Sequence, residues 1–331
     1  MEKKEIVVGI DVSKATLDIC ILIDHDSENF QIKNEPKAIR SFFKKVLKEN
    51  QERKMFVCME NTGYYNWPCY EIFDEIDLSL FVVNPLHLKK SMGLTRGKND
   101  AIDAFRIAKF ISLHKENLKQ TLIPRKQIRI MQALLAQRNR LVETRKKFNV
   151  PTKELIFIAT KELAQKIAKS SQKMIEEINV QIKYIENQLN ELIDNDIDLK
   201  QQYKYVTSVQ GVGKVLAWTI LIKTNEFKSI SDPRKLACYA GVVPFEFQSG
   251  TSINKKPRVS YMADKSLKKL LHLAAMRAIQ LNGDLQNYYL RKVKEGKNKM
   301  LILNAVRNKI VARICSVIKN RKMYQINLQL S

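Results

Sequence analysis

The sequence lacks the residue patterns on which most soluble metal and redox centres are built. Its five cysteines, Cys20, Cys58, Cys69, Cys238 and Cys315, are scattered, with no Cys-x-x-Cys pair and no zinc spacing. They read as reduced core residues, the usage of a cytosolic protein. The four histidines are equally dispersed and offer no His-based metal site. No apolar stretch approaches a membrane-spanning length, and the N-terminal MEKKEIVVGID lacks the apolar core of a signal peptide. A cytoplasmic protein with no membrane partner is expected. Acidic residues are scarce in one half only. Residues 201–331 carry 24 Lys+Arg against 6 Asp+Glu, and the first 200 carry 34 against 28. The net charge of +24 over 331 residues implies a polyanionic partner, with nucleic acid the default. At 45% apolar residues the chain is globular, and it is long enough for two domains with cores.

What the chain does have is organised around GIDVSK, Gly9 to Lys14. Ile6, Val7, Val8 and Ile10 form a continuous apolar run, the pattern of a strand covered on both faces, and Asp11 stands at its end. A carboxylate there is costly to desolvate unless it meets a cation or a hydrogen-bond partner. Taken alone, it also reads as a turn or capping residue. Residues 5–12 and 16–24 are expected to form a hairpin, 29–33 a third strand and 37–49 an amphipathic helix. A fourth strand, 55–59, runs into Glu60-Asn61-Thr62-Gly63. A helix near 70–76 and a fifth strand, 80–83, stopped by Asn84-Pro85, follow. Three leading strands and then alternating helix and strand is the order of a ribonuclease-H-like domain, whose first strand is central with the fourth beside it. That order sets Asp11 and Glu60 at neighbouring strand ends.

GKNDAIDAFRIAKFI supplies a second pair of acids. Asp100 and Asp103 lie three apart on an expected helix and so share one face, about one turn apart. By themselves two acids near a helix N-terminus also simply complement the helix dipole. Four carboxylates converging on one sheet edge would repel, and they make sense together around divalent cations. Oxygen ligands with no His or Cys point to Mg²⁺ or Mn²⁺. Two such ions can activate a nucleophile and stabilise the leaving oxygen of a phosphodiester. Lys89, Lys90, Arg96 and Lys98, in the loop before this helix, are candidates to hold a phosphate backbone or plain solvated surface.

The middle of the chain reads as helical from 127 to 148, with a break at Asn149-Val150-Pro151. In the next helix Ile175, Ile178, Ile182, Ile185, Leu189 and Leu192 step by 3, 4, 3, 4, 3, a coiled-coil repeat. Intrachain pairing and a dimerisation arm both satisfy it. The basic half opens with VTSVQGVGK, in which Gly211, Gly213 and Lys214 have the form of a helix-hairpin-helix phosphate turn or of a plain tight turn. Pro244 is expected to start an extended loop holding Ser249-Gly250, followed by Lys255, Lys256 and Arg258. A helix with Lys268 and Lys269 comes next, capped by Asp264 or Ser266. The last helix should turn Leu301, Ile302, Ala305, Val306, Ile310, Ile314 and Val317 inward, surrounded by Lys299, Arg307, Arg313, Lys319, Arg321 and Lys322. Ser249 alone reads as turn chemistry, and no histidine lies near it in sequence to serve as a base.

GIDVSK, MENTGYY, VNP and KNDAIDAFRIA, in this order and spacing, resemble the Asp-Glu-Asp-Asp signature of the insertion-sequence 110 family of bacterial transposases, to which the Piv and MooV DNA invertases are related. The resemblance covers nearly the whole chain. It departs from the family at Asn99, where Thr is usual, and in lacking the run of glycines after Ser249-Gly250. It implies an N-terminal RuvC-like (ribonuclease-H-fold) catalytic domain, 1–122, a helical coiled-coil spacer, 123–200, and a C-terminal, mainly helical transposase domain, 201–331. It implies Mg²⁺ (or Mn²⁺) held by Asp11, Glu60, Asp100 and Asp103, and Ser249 as a nucleophile forming a phosphoserine link to DNA. Lys98, Gly211, Gly213, Lys214, Lys255, Lys256, Arg258, Lys268 and Lys269 are the candidate nucleic-acid contacts. The implied partners are donor and target DNA, an element-encoded noncoding (bridge) RNA, and further copies of the chain in a dimer of dimers, where acids and serine would form a composite site. The implied setting is the bacterial nucleoid. Three rivals are a resolvase-like nuclease with water as nucleophile, an actin-like sugar kinase and a non-catalytic DNA-binding protein. The kinase needs a second glycine-rich phosphate loop that the sequence lacks.

Overall fold

Strand β1 (Glu5–Val12) carries apolar residues toward both faces, so it can stand only at the centre of a covered sheet. In the computed structural model, which describes residues 5–24, 26–91, 99–149, 160–249 and 253–325, it does so. β2 (Thr16–Ile23), β3 (Asp26–Lys33), β4 (Lys54–Glu60) and β5 (Ser79–Val83) complete a sheet of order β3-β2-β1-β4-β5. β1 runs antiparallel to β2 and β2 to β3, while β1, β4 and β5 are parallel. This is the strand order expected from the sequence.

The two-residue strand period sorts the core into two layers. Ile6, Val8 and Ile10 point with Met59 to the side of α1 (Pro36–Glu49) and α2 (Trp67–Phe73), meeting Phe43 and Ile72. Val7, Cys20, Phe56, Cys58, Phe81 and Val83 point the other way, onto Ala104, Ile107, Ala108 and Ile111 of a later helix, α4 (Asp100–His114). Burial pushes the Cys58 and Cys69 thiols up to about 12, as suits inert packing residues. One helix beside this sheet was not expected. Asn84-Pro85 ends β5, but it also starts α3 (Pro85–Ser91), with the Asn84 side chain accepting from Leu86 N at 2.9 Å. Lys89 and Lys90 therefore lie on a helix and not in a loop.

The chain divides into two compact units, Met1–Ile123 and Pro124–Ser331. In the second, α5 (Lys126–Asn149) and α6 (Lys161–Asp194) pack as an antiparallel pair within the chain. Arg138 reaches Glu186 at 2.7 Å, and Arg145 donates to Asn179 at 2.7 Å. Ile178, Ile182, Ile185 and Leu189 of the expected repeat are buried, and the stripe then continues through Ile193, with Leu192 half-buried. That last step follows the 3.6-residue helix and departs from a strict heptad. Ile128, Met131 and Leu135 of α5 share one core with Ile185, Leu189 and Ile193 and with α7 (Ile197–Ser208), α8 (Lys214–Lys223) and α9 (Pro233–Tyr239).

The same core takes in α10 (Lys265–Ala278), α11 (Asp284–Lys294) and α12 (Lys299–Asn320). Two expectations for α12 are corrected. Leu301 is 70% exposed, and Arg307 is buried, sharing a 2.9 Å hydrogen bond with His272 Nδ1. Among the described residues no helix is long and apolar enough to cross a membrane. Because Leu189 is fully buried in this core, Leu189→Ala should cost about 2–5 kcal/mol in urea denaturation. Because α5 and α6 pair within the chain, the transition midpoint should not depend on protein concentration.

Candidate active site

The register of the sheet builds a polar rung on the face that α4 covers. Ile10 pairs with Met59 in parallel, so Asp11 and Glu60 stand side by side at the ends of β1 and β4. Asp18 of β2 is the direct partner of Asp11, and Gln31 of β3 is the partner of Asp18. Gln31 Nε2 donates to Asp18 Oδ1 at 2.9 Å. Alternation puts all four on the side of Cys20, Cys58 and Val83, the α4 side.

α4 brings the other two acids. Its N-cap is Asn99, whose side chain accepts from Ala101 N at 3.1 Å. Asn serves there as Thr would, so the departure from the family pattern leaves the cap intact. Asp100 and Asp103 occupy the first turn, where the helix dipole favours negative charge. What lets the helix approach is Gly9. A Cβ on Gly9 would fall 2.2 Å from the Ala104 carbonyl oxygen and 2.3 Å from the Ala108 nitrogen. The α4 backbone thus lies directly on β1, two residues before Asp11 and one residue after Asp103. A glycine inside an otherwise apolar strand is the sequence signal for such an approach, and with Ala104 and Ala108 four apart it could have been read.

The electrostatics record the convergence. Burial, and then the charges of Asp103, Asp100, Glu60 and Asp18, raise the Asp11 carboxyl from 3.8 to about 6. Asp103 is balanced by Arg106, whose Nη1 lies 2.8 Å from Oδ1 with both side chains largely buried. Asp18 and Arg106 are site residues that the sequence reading did not pick out. Among the described residues no three acidic, histidine or cysteine side chains are set to hold one ion. The donor set itself, carboxylate oxygens in excess of cations, is that of a hard divalent metal. Asp11, Glu60, Asp100 and Asp103 are the groups that would hold it.

The remaining sequence candidates are placed as follows. Ser249 is the last residue of β6 (Phe245–Ser249), paired with Ile253 of β7 (Ile253–Arg258). The expected extended loop is therefore a two-stranded hairpin. The side chains of Ser249, Lys255, Lys256 and Arg258 lie outside the described residues, as does Lys98 altogether. Gly211, at φ +87°, has no room for a Cβ against the Ala274 carbonyl oxygen of α10, so it serves helix packing. Gly213 is the N-cap of α8, and Lys214 is ion-paired with Glu186 of α6. Lys269 is exposed on α10 and Lys268 is half-buried.

A family model described as "Transposase", of the IS110 Asp-Glu-Asp-Asp type, matches residues 8–155. A second, "Transposase IS116/IS110/IS902 family", matches residues 203–290. The pilin gene-inverting proteins of Moraxella bovis and Moraxella lacunata are each 25% identical over 325 residues, covering 96% of this chain and 97% of their own. T. thermophilus RuvC, solved in complex with a Holliday junction substrate, aligns at 12% identity over 34% of this chain and 96% of its own, with a TM-score of 0.28. The two family models together span more than half of the sequence, and the chain belongs to the IS110 family of transposases. It is an enzyme of DNA recombination.

Two outcomes follow from this geometry. Gly9→Ala forces a methyl group into backbone and should cost about 3 kcal/mol in urea denaturation, with loss of DNA cleavage as α4 is displaced. The Asp11 carboxyl is raised on folding, so the folded chain holds an extra proton between about pH 4 and pH 6 and stability falls as pH rises through that window. Without divalent cations, Asp11→Asn should be more stable than wild type at about pH 8, by about 1–2 kcal/mol after allowance for partial exposure. The difference should vanish below about pH 4.

Proposed function

We propose that this transposase cleaves and rejoins DNA strands, with Asp11, Glu60, Asp100 and Asp103 as a divalent-cation site on a ribonuclease-H-like sheet and Ser249 as the nucleophile. The observation that carries the reading is the acidic rung, where burial and then the charges of neighbouring carboxylates raise Asp11 to about 6. Such a concentration of like charge is an unneeded cost in a protein that only binds DNA, since it opposes a polyanion. It becomes useful when cations stand between carboxylates and phosphate. When bound, Mg²⁺ or Mn²⁺ supplies a Lewis acid for the phosphodiester and lowers the pKa of an attacking oxygen.

In this scheme Ser249 Oγ loses its proton and forms a bond to phosphorus, while the phosphorus–oxygen bond to one deoxyribose breaks and the released oxygen takes up a proton. A sugar hydroxyl of the exchanged strand then attacks the phosphoserine, restoring both the phosphodiester and the serine. The number of phosphate esters is conserved, so strand exchange needs no external energy source. The pilin gene-inverting relatives are named for DNA inversion, which is strand exchange within one molecule and asks for the same chemistry. The basic residues of 201–331, among them Lys268 and Lys269, would neutralise backbone phosphates. Guidance by an element-encoded noncoding RNA and assembly as a dimer of dimers rest on the family resemblance.

The test is a covalent-adduct assay with Mg²⁺ on DNA spanning the element's junction, with the element's flanking transcripts supplied. Wild type should give a protein–DNA band on denaturing electrophoresis that is absent from Ser249→Ala and Asp11→Ala. Cleavage without an adduct, surviving Ser249→Ala, would instead establish a resolvase-like nuclease that uses water.

A further inference from the structure

Two aromatic residues follow the acidic end of β4 without entering the core. Tyr64 and Tyr65 lie in the 3-10 turn Gly63–Asn66, which begins three residues after Glu60, and they are 45% and 46% exposed. The turn is fixed from below. Asn66, fully buried, donates from Nδ2 to the Glu60 carbonyl at 2.9 Å and accepts from the Thr62 hydroxyl. Asn34 Nδ2 donates to both the Ser13 carbonyl, at 2.8 Å, and the Tyr65 carbonyl, at 3.0 Å. That single amide ties the turn behind Asp11 to the turn behind Glu60. The Tyr64 ring meets Trp67 edge-on, with centroids 5.3 Å apart, which sets its orientation and leaves much of it open. Lys14, exposed on the tied turn, places a cation on the same edge.

Solvent-facing tyrosines on a pinned turn, with a lysine on the turn tied to it, have the composition of a base-stacking platform. Any nucleobase offers a π-face, and stacking on an aromatic ring is tolerant of sequence. In continuous duplex those faces are covered by neighbouring base pairs, so the ligand that fits is an unpaired nucleotide. We propose that Tyr64 and Tyr65 stack an unpaired nucleobase of the strand held at Glu60, with Lys14 on its phosphate. The site then takes DNA opened at the cleavage point in preference to intact duplex. The inference rests on the acidic rung being the site of DNA cleavage.

The experiment titrates full-length wild type, Tyr64→Ala, Tyr65→Ala, Tyr64→Phe, Tyr65→Phe and Lys14→Ala by fluorescence anisotropy, with a chelator present to prevent cutting. The probes are a single-stranded oligonucleotide and the duplex of the same sequence, over a range of salt. Each tyrosine-to-alanine change should weaken single-strand binding about 5- to 100-fold and duplex binding by about twofold or less. The phenylalanine variants should bind like wild type. The slope of log affinity against log salt should stay unchanged in the tyrosine variants and fall by about one in Lys14→Ala. Quenching of a 2-aminopurine base in the single strand should be lost with either alanine. Unaltered thermal unfolding of the alanine variants checks that the turn still folds.

Alanine variants that bind the single strand like wild type, or that weaken on both probes alike, would overturn the platform. So would phenylalanine variants as weak as alanine, since the hydroxyl and not the ring would then matter. If the platform alone is wrong, wild type still binds DNA and still forms the serine adduct. If wild type neither cleaves DNA nor forms the adduct with Mg²⁺ and the flanking transcripts present, the reading of the site as a DNA-cleaving centre falls with it.

Discussion

The site depends on one close contact, the α4 backbone lying on β1 at Gly9. The contact fixes the depth and rotation of the helix, because Ala104 and Ala108 have no side chain long enough to hold it off. Asp103 immediately precedes Ala104, so the same contact that packs the core sets the height of an acid over the sheet. Asn99 then determines where the helix begins, and with it the place of Asp100. Fold and chemistry are therefore coupled over a few residues. The close packing at Gly9 lies next to an unfavourable cluster of like charge.

Those electrostatics have a definite structure. Asp18 is held by Gln31 and Asp103 by Arg106, while burial and the four neighbouring acids bear on Asp11. Asp11 is the acid of the rung on which burial and like charge bear together. A carboxylate raised in this way is poised to gain from a cation, which would convert a repulsive arrangement into an attractive one. The second unit has the opposite character. Its helices share one apolar core, and its basic residues are divided between internal duty, such as Arg307 and the Lys214–Glu186 pair, and exposed positions such as Lys269.

Much of the first unit was legible in the sequence, because alternation within strands and a three-residue spacing on a helix are local rules. Those rules and the expected strand order set Asp11 and Glu60 at neighbouring strand ends, as the register does, and Asp100 and Asp103 in one helical turn. Asp18 obeys the same alternation, but its importance lies in the pairing register, which no local pattern states. Gly9 was visible as a residue, yet its reason is tertiary. The β6–β7 hairpin read as a loop because its strands are rich in polar residues and contain Pro257, a composition that suits an isolated two-stranded ribbon as well as a loop. Arg307 was placed on the surface by its charge, whereas His272 and Asn304 receive it inside. The α6 stripe was read correctly up to Leu189, and its last step shifted because the helix packs within the chain on a straight 3.6-residue period.

The central claim is that the rung of acids beside Gly9 is a cation site. It is tested most directly by anomalous scattering from crystals of the protein grown with Mn²⁺. The account predicts an anomalous peak between Asp11 and Glu60, within ligand distance of both carboxylates, with Asp100 or Asp103 turned toward it. A fully ordered rung that stays free of Mn²⁺ while the ion occupies other carboxylates would contradict it.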